Sequence, residues 1–227
     1  MRALRVLAFA TIAFASAFQV YTEDLRMQYD SKYLQNSNYQ LQTGMYELSR
    51  LRQADIVMLG TSHTFNASWS ELLNRKNIAN RGINSDVLPG FQQRLRYIYR
   101  LQPKICFIEG GVNEISVQYN AGIVFARYTQ VIDSLRAHKI VPVIQSTLFL
   151  ARTWPEAKEK NGEIKTLDSL LVDYAKSRSI EYLDVNTLVS ADGYLRPELT
   201  CDGIHLNADG YALWLPLVER VLVSNGL

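Results

Sequence analysis

A chain of 227 residues, 48% hydrophobic and 20% charged, has enough apolar material to bury a full core, and its length fits one globular domain. Its 24 Lys and Arg against 22 Asp and Glu leave a net charge of +2 without a basic tract, which argues against nucleic acid as a partner. Two cysteines, Cys106 and Cys201, with no histidine at ligand spacing, argue against a zinc site, and Cys106 lies in an apolar run that reads as a buried strand, so two free thiols are expected.

The chain begins with Arg2 and Arg5, an apolar run over residues 6–15 broken only by Thr11, and Ala15-Ser16-Ala17 in the small-x-small pattern of a signal-peptidase site. Residues 1–17 therefore read as a signal peptide, and the mature protein as periplasmic or secreted. The alternative is an uncleaved membrane anchor, although the run is shorter than the ~20 residues that span a bilayer. Residues 18–53 form an extension, polar and tyrosine-rich at first, then helical where Met45, Leu48 and Leu51 recur at helical spacing, with that helix lying on the main body.

From residue 54 to 227 the pattern alternates. Short apolar runs at 56–59, 104–108, 140–144 and 181–185, and a weaker one at 78–81, are strand-length and read as buried on both faces. Helical segments at 89–101, 124–138, 164–178 and 208–223 separate them. This alternation predicts a three-layer α/β/α sandwich around a mostly parallel five-stranded sheet. Ligands bind such sheets beyond the carboxyl ends of the strands.

Residue types suited to nucleophilic catalysis fall at those ends. Ser62, in Gly60-Thr61-Ser62-His63, directly follows the first strand, where a serine is either a turn residue or a nucleophile near a helix N-terminus. Gly82 follows the second strand, as a plain turn glycine or as a backbone N–H donor that a substrate oxygen can approach closely. Asn113, after Gly110-Gly111, either forms an Asx turn or offers an amide donor to the same oxygen. Near the C-terminus, Asp202 and His205 stand three residues apart, an N-cap with a surface histidine or a carboxylate orienting a base. Of the three histidines, His138 sits in the last turn of a predicted helix, where a cation complements the dipole, and His63 is expected to point away from its neighbour Ser62, which leaves His205 as the candidate base.

Taken in order, these four segments resemble the conserved blocks of the SGNH hydrolases, the GDSL esterase/lipase family, over about residues 54–221. The segment Asp202-Gly203-Ile204-His205-Leu206-Asn207-Ala208-Asp209-Gly210-Tyr211 is close to the family's usual wording, and Asn77-Ile78-Ala79-Asn80-Arg81-Gly82-Ile83 is similar to the bacterial carbohydrate-esterase and platelet-activating-factor acetylhydrolase-like branch. The resemblance implies a flavodoxin-like SGNH fold, a Ser62-His205-Asp202 triad, and an oxyanion hole from the backbone N–H of Ser62, that of Gly82 and the side chain of Asn113. Three departures stand out: Thr61 replaces the aspartate of Gly-Asp-Ser, His63 an apolar residue, and Glu114 the aspartate that often follows the asparagine.

The implied activity is a serine esterase acting on small acyl groups, most of all acetyl, on a carbohydrate or other polar carrier, without a metal or organic cofactor. The alternatives are an O-acyltransferase to a glycan hydroxyl and a weakly active or inactive glycan-binding domain. Phe65, Trp69, Arg152 and Trp154 follow strand ends on the expected active edge and are candidates for holding the substrate.

Overall fold

The computed structural model describes residues 28–227; the expected signal peptide lies outside them. In chain order, α1 (Ser37–Leu48) precedes β1 (Ile56–Gly60), the short α2 (Ser62–Phe65) and α3 (Trp69–Leu72), β2 (Ile78–Gly82), α4 (Leu88–Tyr99), β3 (Ile105–Ile108) and α5 (Val112–Ser116). There follow α6 (Ala121–Ala137), β4 (Val141–Gln145), α7 (Ala157–Arg178), β5 (Glu181–Leu183), α8 (Asn186–Val189), a small antiparallel hairpin of β6 (Ser190–Ala191) and β7 (Tyr194–Leu195), and α9 (Ala208–Ser224).

The five expected strands form one parallel sheet in the order β2-β1-β3-β4-β5. Their apolar runs are continuous because both faces are covered. Val57, Leu59, Cys106, Ile108 and Ile144 point into one layer, against Phe91 and Leu95 of α4, Tyr128 and Ile132 of α6 and Leu167 and Leu171 of α7. Their neighbours Ile56, Met58, Ile105, Phe107 and Val143 point the other way, to Trp69 of α3 and Trp214 and Val218 of α9. Each such side chain contributes ~1.5–3 kcal/mol on burial, so the period-two alternation builds two cores on one sheet. Gly60 pairs with Gly82, and Leu59 with Ile108, so β1, β2 and β3 end level with one another. The strand order reverses between β1 and β3, and a crevice opens beyond the carboxyl ends at such a switch point.

Three local expectations need correction. Helix α1 starts at Ser37, well before Met45, because Asn36 caps it by accepting the Asn38 N–H at 3.0 Å. Nor do Met45, Leu48 and Leu51 face the body: they are 54%, 75% and 44% exposed. The packing side is aromatic instead, with Tyr39 buried and the Tyr46 ring 4.5 Å from the Arg81 guanidinium, its hydroxyl donating to the Gly82 carbonyl at 3.2 Å. The surface under α1 is a guanidinium and a strand-end carbonyl, which a tyrosine can cover and satisfy and a leucine cannot. Helix α7 begins at Ala157 rather than 164, since buried Asn161 holds the Leu150 N–H and the carbonyls of Leu150 and Gly193 at 2.9 Å each, a polar residue where the apolar pattern expects a hydrophobe. The β6–β7 hairpin turns on Asp192-Gly193, both at positive φ (53° and 78°).

Candidate active site

Strand β1 runs out at Gly60, where a side chain would collide with the Thr64 hydroxyl, so only glycine lets the strand pass this tightly into α2. Thr61 is still extended (φ −89°, ψ −151°), and Ser62 opens the helix, 7% exposed. Its Oγ lies 2.9 Å from His205 Nε2, and His205 Nδ1 lies 2.6 Å from Asp202 Oδ2. A carboxylate can only accept, so the Nδ1 proton sits between His205 and Asp202, and Nε2 keeps its lone pair for the Ser62 hydroxyl. Asp202 Oδ1 is occupied by the backbone N–H groups of Ile204 (3.0 Å) and His205 (2.8 Å). Partial burial pushes the Asp202 pKa up, but the hydrogen bonds from the His205 ring and from these two amides outweigh it and hold the carboxyl at about 2. The loop closes on Thr200, whose hydroxyl donates to the His205 carbonyl (2.7 Å) and accepts the Gly203 N–H (2.9 Å), with Gly203 at φ 91°.

The expected oxyanion donors stand differently from one another. The Ser62 N–H, first in its helix, has no acceptor among the described residues. Asn113 reaches the same edge from α5 and donates through Nδ2 to the Asp86 carbonyl at 2.8 Å, which uses one of its two amide hydrogens. Gly82 has to be reassigned: its N–H donates to Asn80 Oδ1 at 2.8 Å, and a Cβ there would collide with the backbone of Phe65. Its missing side chain makes room for α2, not for a substrate. Asn80 Nδ2 ties the same contact together by donating to the carbonyls of Thr64 (3.0 Å), Phe65 (3.2 Å) and Ala67 (3.0 Å). The free N–H groups beyond β2 belong to Asn84 and Ser85, which lack acceptors among the described residues; the Asn84 carbonyl is held by Asn36 Nδ2 at 2.8 Å. Gly82→Ala is therefore expected to lower stability by ~1–3 kcal/mol, the usual range for overpacking, because no rotamer relieves a clash with backbone. Chemical denaturation checks this, and wild-type stability in the variant would contradict the packing role.

A carboxylate missing from the nucleophile turn returns from another strand. Glu109, following β3 and fully buried, accepts the Thr61 hydroxyl at 2.8 Å and the Thr61 N–H at 3.1 Å. Thr61 thus replaces the family's aspartate without leaving the turn uncharged. His63, expected to point away, is fully buried with its ring 5.5 Å from that of His205. Glu114 turns inward and accepts the Leu88 N–H at the start of α4 (2.6 Å) and the Tyr29 hydroxyl (3.2 Å).

Burial raises the Glu114 pKa to about 7, against the opposing pull of the Leu88 N–H. The folded protein then holds this proton more tightly than the unfolded chain does, so the contribution is present at acid pH and is lost as pH rises through about 7. Glu114→Gln keeps the Oε1 acceptor and removes the titration. Its stability relative to wild type is expected to grow between pH 5 and pH 8 by on the order of 2–3 kcal/mol, read from urea midpoints.

Of the candidate substrate contacts, Phe65 is 37% exposed at the end of α2. Trp69 is not available: it is 1% exposed, with its indole N–H on the Thr64 carbonyl at 2.9 Å and its ring edge-on to Trp214. Arg152 is exposed and lies 4.1 Å over the Tyr194 ring, while Trp154 is half-buried against Gly203 of the Asp202 loop.

This fold and arrangement have known counterparts. Residues 53–213 match the model of the GDSL-like Lipase/Acylhydrolase family. An N-acylneuraminate cytidylyltransferase of Streptococcus agalactiae is 26% identical over 161 residues, 70% of this chain and 36% of that protein, so the chain spans about a third of the curated relatives it matches. Among solved structures, a Bacteroides fragilis protein assigned as an acylhydrolase superimposes with a TM-score of 0.73 at 22% identity, over 82% of this chain and 97% of that one. An acetyl xylan esterase superimposes with a TM-score of 0.64 at 16% identity, over 74% and 98%. With its parallel sheet, its serine at the end of β1 and a family match over most of its length, the chain belongs to the GDSL-like lipase/acylhydrolase family.

Proposed function

We propose that the protein is a serine esterase that removes small acyl groups, acetyl first among them, from a carbohydrate or other polar carrier through an acyl-enzyme on Ser62. The observation that carries this reading is the unbroken line of hydrogen bonds Asp202–His205–Ser62, at 2.6 and 2.9 Å. His205 Nε2 takes the Ser62 proton as Oγ attacks the ester carbonyl, and Asp202 stabilises the imidazolium. The resulting oxyanion is met by the N–H of Ser62, the amide of Asn113 and one of the free N–H groups of Asn84 and Ser85 beyond β2, which takes the place first assigned to Gly82. Each such donor is worth ~3–4 kcal/mol in the transition state. Collapse expels the alcohol with the proton from His205, and a water activated by the same imidazole releases the acid and frees Ser62.

Hydrolysis is favoured over transfer because the His205 and Asp202 side chains are 33% and 49% exposed, which leaves water a path to the acyl-enzyme. The names of the relatives also lean toward carbohydrate, one a sugar-acid enzyme and one an acetyl xylan esterase. The leader-like residues 1–17 put the proposed site of action outside the cytoplasm. The test is a p-nitrophenyl ester series from acetate to octanoate, with acetylated xylo-oligosaccharide alongside and a glycan acceptor in excess. The highest kcat/KM with acetate, and free acetate equal to the ester consumed, are expected. Preference for long chains, or acetyl recovered on the acceptor, would overturn the reading.

A further inference from the structure

We infer that His63 is a positioning residue for the base: its imidazole ties the loop carrying Asp202 and His205 to the helix carrying Ser62, and Glu109 holds that imidazole in place. The inference rests on the proposed Ser62-His205-Asp202 mechanism. His63 Nε2 lies 2.8 Å from the carbonyl of Ile204, the residue between Asp202 and His205 in that loop. A carbonyl only accepts, so Nε2 carries the proton and donates it. Among the described residues this is the one hydrogen bond from α2 to the loop at 200–206 apart from the Ser62–His205 contact itself.

The ring is fixed on its other side. Nδ1 stands 3.5 Å from Glu109 Oε1 and 3.5 Å from the Thr61 hydroxyl, and the Tyr211 hydroxyl of α9 holds the His63 carbonyl at 2.6 Å. Burial opposes a charge on His63, yet the Glu109 carboxylate beside it raises its pKa above the ordinary value, and His63 in turn lowers that of Glu109 despite its burial. A proton on each ring nitrogen suits the two acceptors.

The reason such a tie matters is geometric. Ser62 and His205 come from α2 and from a loop 143 residues later, and their 2.9 Å contact must hold through both halves of the reaction. A displacement of about 1 Å between reacting groups can cost ~10²-fold in rate. The Ile204 carbonyl sets the spacing from the loop side, and the His63 ring sets it from the nucleophile side. His63 and Glu109 thus couple the turn after β1, the end of β3 and the loop before α9 into one rigid frame under the site.

Three variants test the assignment. His63→Phe keeps a ring but removes both nitrogens, His63→Gln places an amide N–H about where Nε2 was, and His63→Asn is too short to reach Ile204. On p-nitrophenyl acetate, kcat is expected to fall ~10²-fold in His63→Phe and His63→Asn with KM nearly unchanged, and to recover most of that loss in His63→Gln. Amide hydrogen exchange at Ile204 and His205, measured without substrate, is expected to speed up in the Phe and Asn variants and to stay near wild type in Gln. Should His63→Phe not fold, the Gln and Asn pair decides. Equal kcat in Gln and Asn, or wild-type kcat in Phe, with unchanged loop exchange, would overturn the inference. Ser62→Ala runs in parallel: wild-type turnover there would sink the nucleophile assignment, while loop exchange would still report whether His63 holds the loop.

Discussion

Ser62→Ala is expected to lower kcat on p-nitrophenyl acetate by ~10⁴–10⁶-fold while leaving KM within a small factor, because the variant keeps the site's shape and loses only the attacking atom. The size follows from the way a nucleophile, base and orienting carboxylate act as a unit. Once any one is gone, the others have nothing to act on, and what remains is the rate supplied by the oxyanion donors and by binding. His205→Ala should therefore cost about as much as Ser62→Ala, and the double variant no more than either. Asp202→Asn tests a different link. It preserves the volume but lets the asparagine amide face His205 Nδ1, which favours the tautomer with its proton on Nε2, facing Ser62. A loss of ~10⁴-fold is expected on that ground alone. Additive losses across these variants would mean that the three residues do not share one proton path.

The second large effect falls on stability. Arg94→Met is expected to destabilise the fold by ~3–5 kcal/mol, read from urea or thermal unfolding, because it strands a buried charge. Arg94 is 1% exposed and Asp86 fully buried; Arg94 Nε bonds Asp86 Oδ2 at 2.7 Å, Nη1 the Arg81 carbonyl at 2.5 Å and Nη2 the Gly60 carbonyl at 3.0 Å. One guanidinium thus bonds the final carbonyl of β1 and the penultimate carbonyl of β2 and neutralises the residue whose own carbonyl receives Asn113. Removing it leaves the buried Asp86 carboxylate without its counter-charge, with only the Val87 N–H on Oδ1, and takes one hydrogen bond each from the Arg81 and Gly60 carbonyls, the latter keeping the Ile83 N–H. Asp86→Asn should recover part of the loss when combined with Arg94→Met, since the stranded charge disappears with it. A single Arg94→Met variant as stable as wild type would show that this pair does not hold the strand ends.

The sheet and its covering helices were legible because their signal is periodic. Ile56 to Leu59 and Ile105 to Ile108 are unbroken apolar runs of strand length, and burial on both faces is the physical reason for such runs. The hydrogen-bonded grouping of Ser62, His205 and Asp202 was legible through residue type and order: few histidines, one of them three residues after an aspartate, and a serine directly after a strand. Hydrogen-bond partners were not. Gly82 reads as a donor in sequence, and only the Asn80 side chain on its N–H and the Phe65 backbone against its α-carbon reveal a packing glycine. Glu109 was missed because nothing local distinguishes it from any acid at a strand end; its meaning comes from Thr61, 48 residues away. The one available hint was an acidic residue wedged between buried Ile108 and Gly110. Met45, Leu48 and Leu51 misled for the opposite reason, a clean periodicity whose face the body does not cover.

The central claim is a covalent acyl group on Ser62, and acid-quenched mass spectrometry of the enzyme during turnover of p-nitrophenyl acetate tests it most directly. One acetyl group is predicted on the peptide containing Ser62, accumulating further when His205→Ala is acylated slowly and cannot be deacylated, and absent from Ser62→Ala. An acetyl group on any other residue, or none on a fully active enzyme whose Ser62→Ala variant turns over at the wild-type rate, would contradict it.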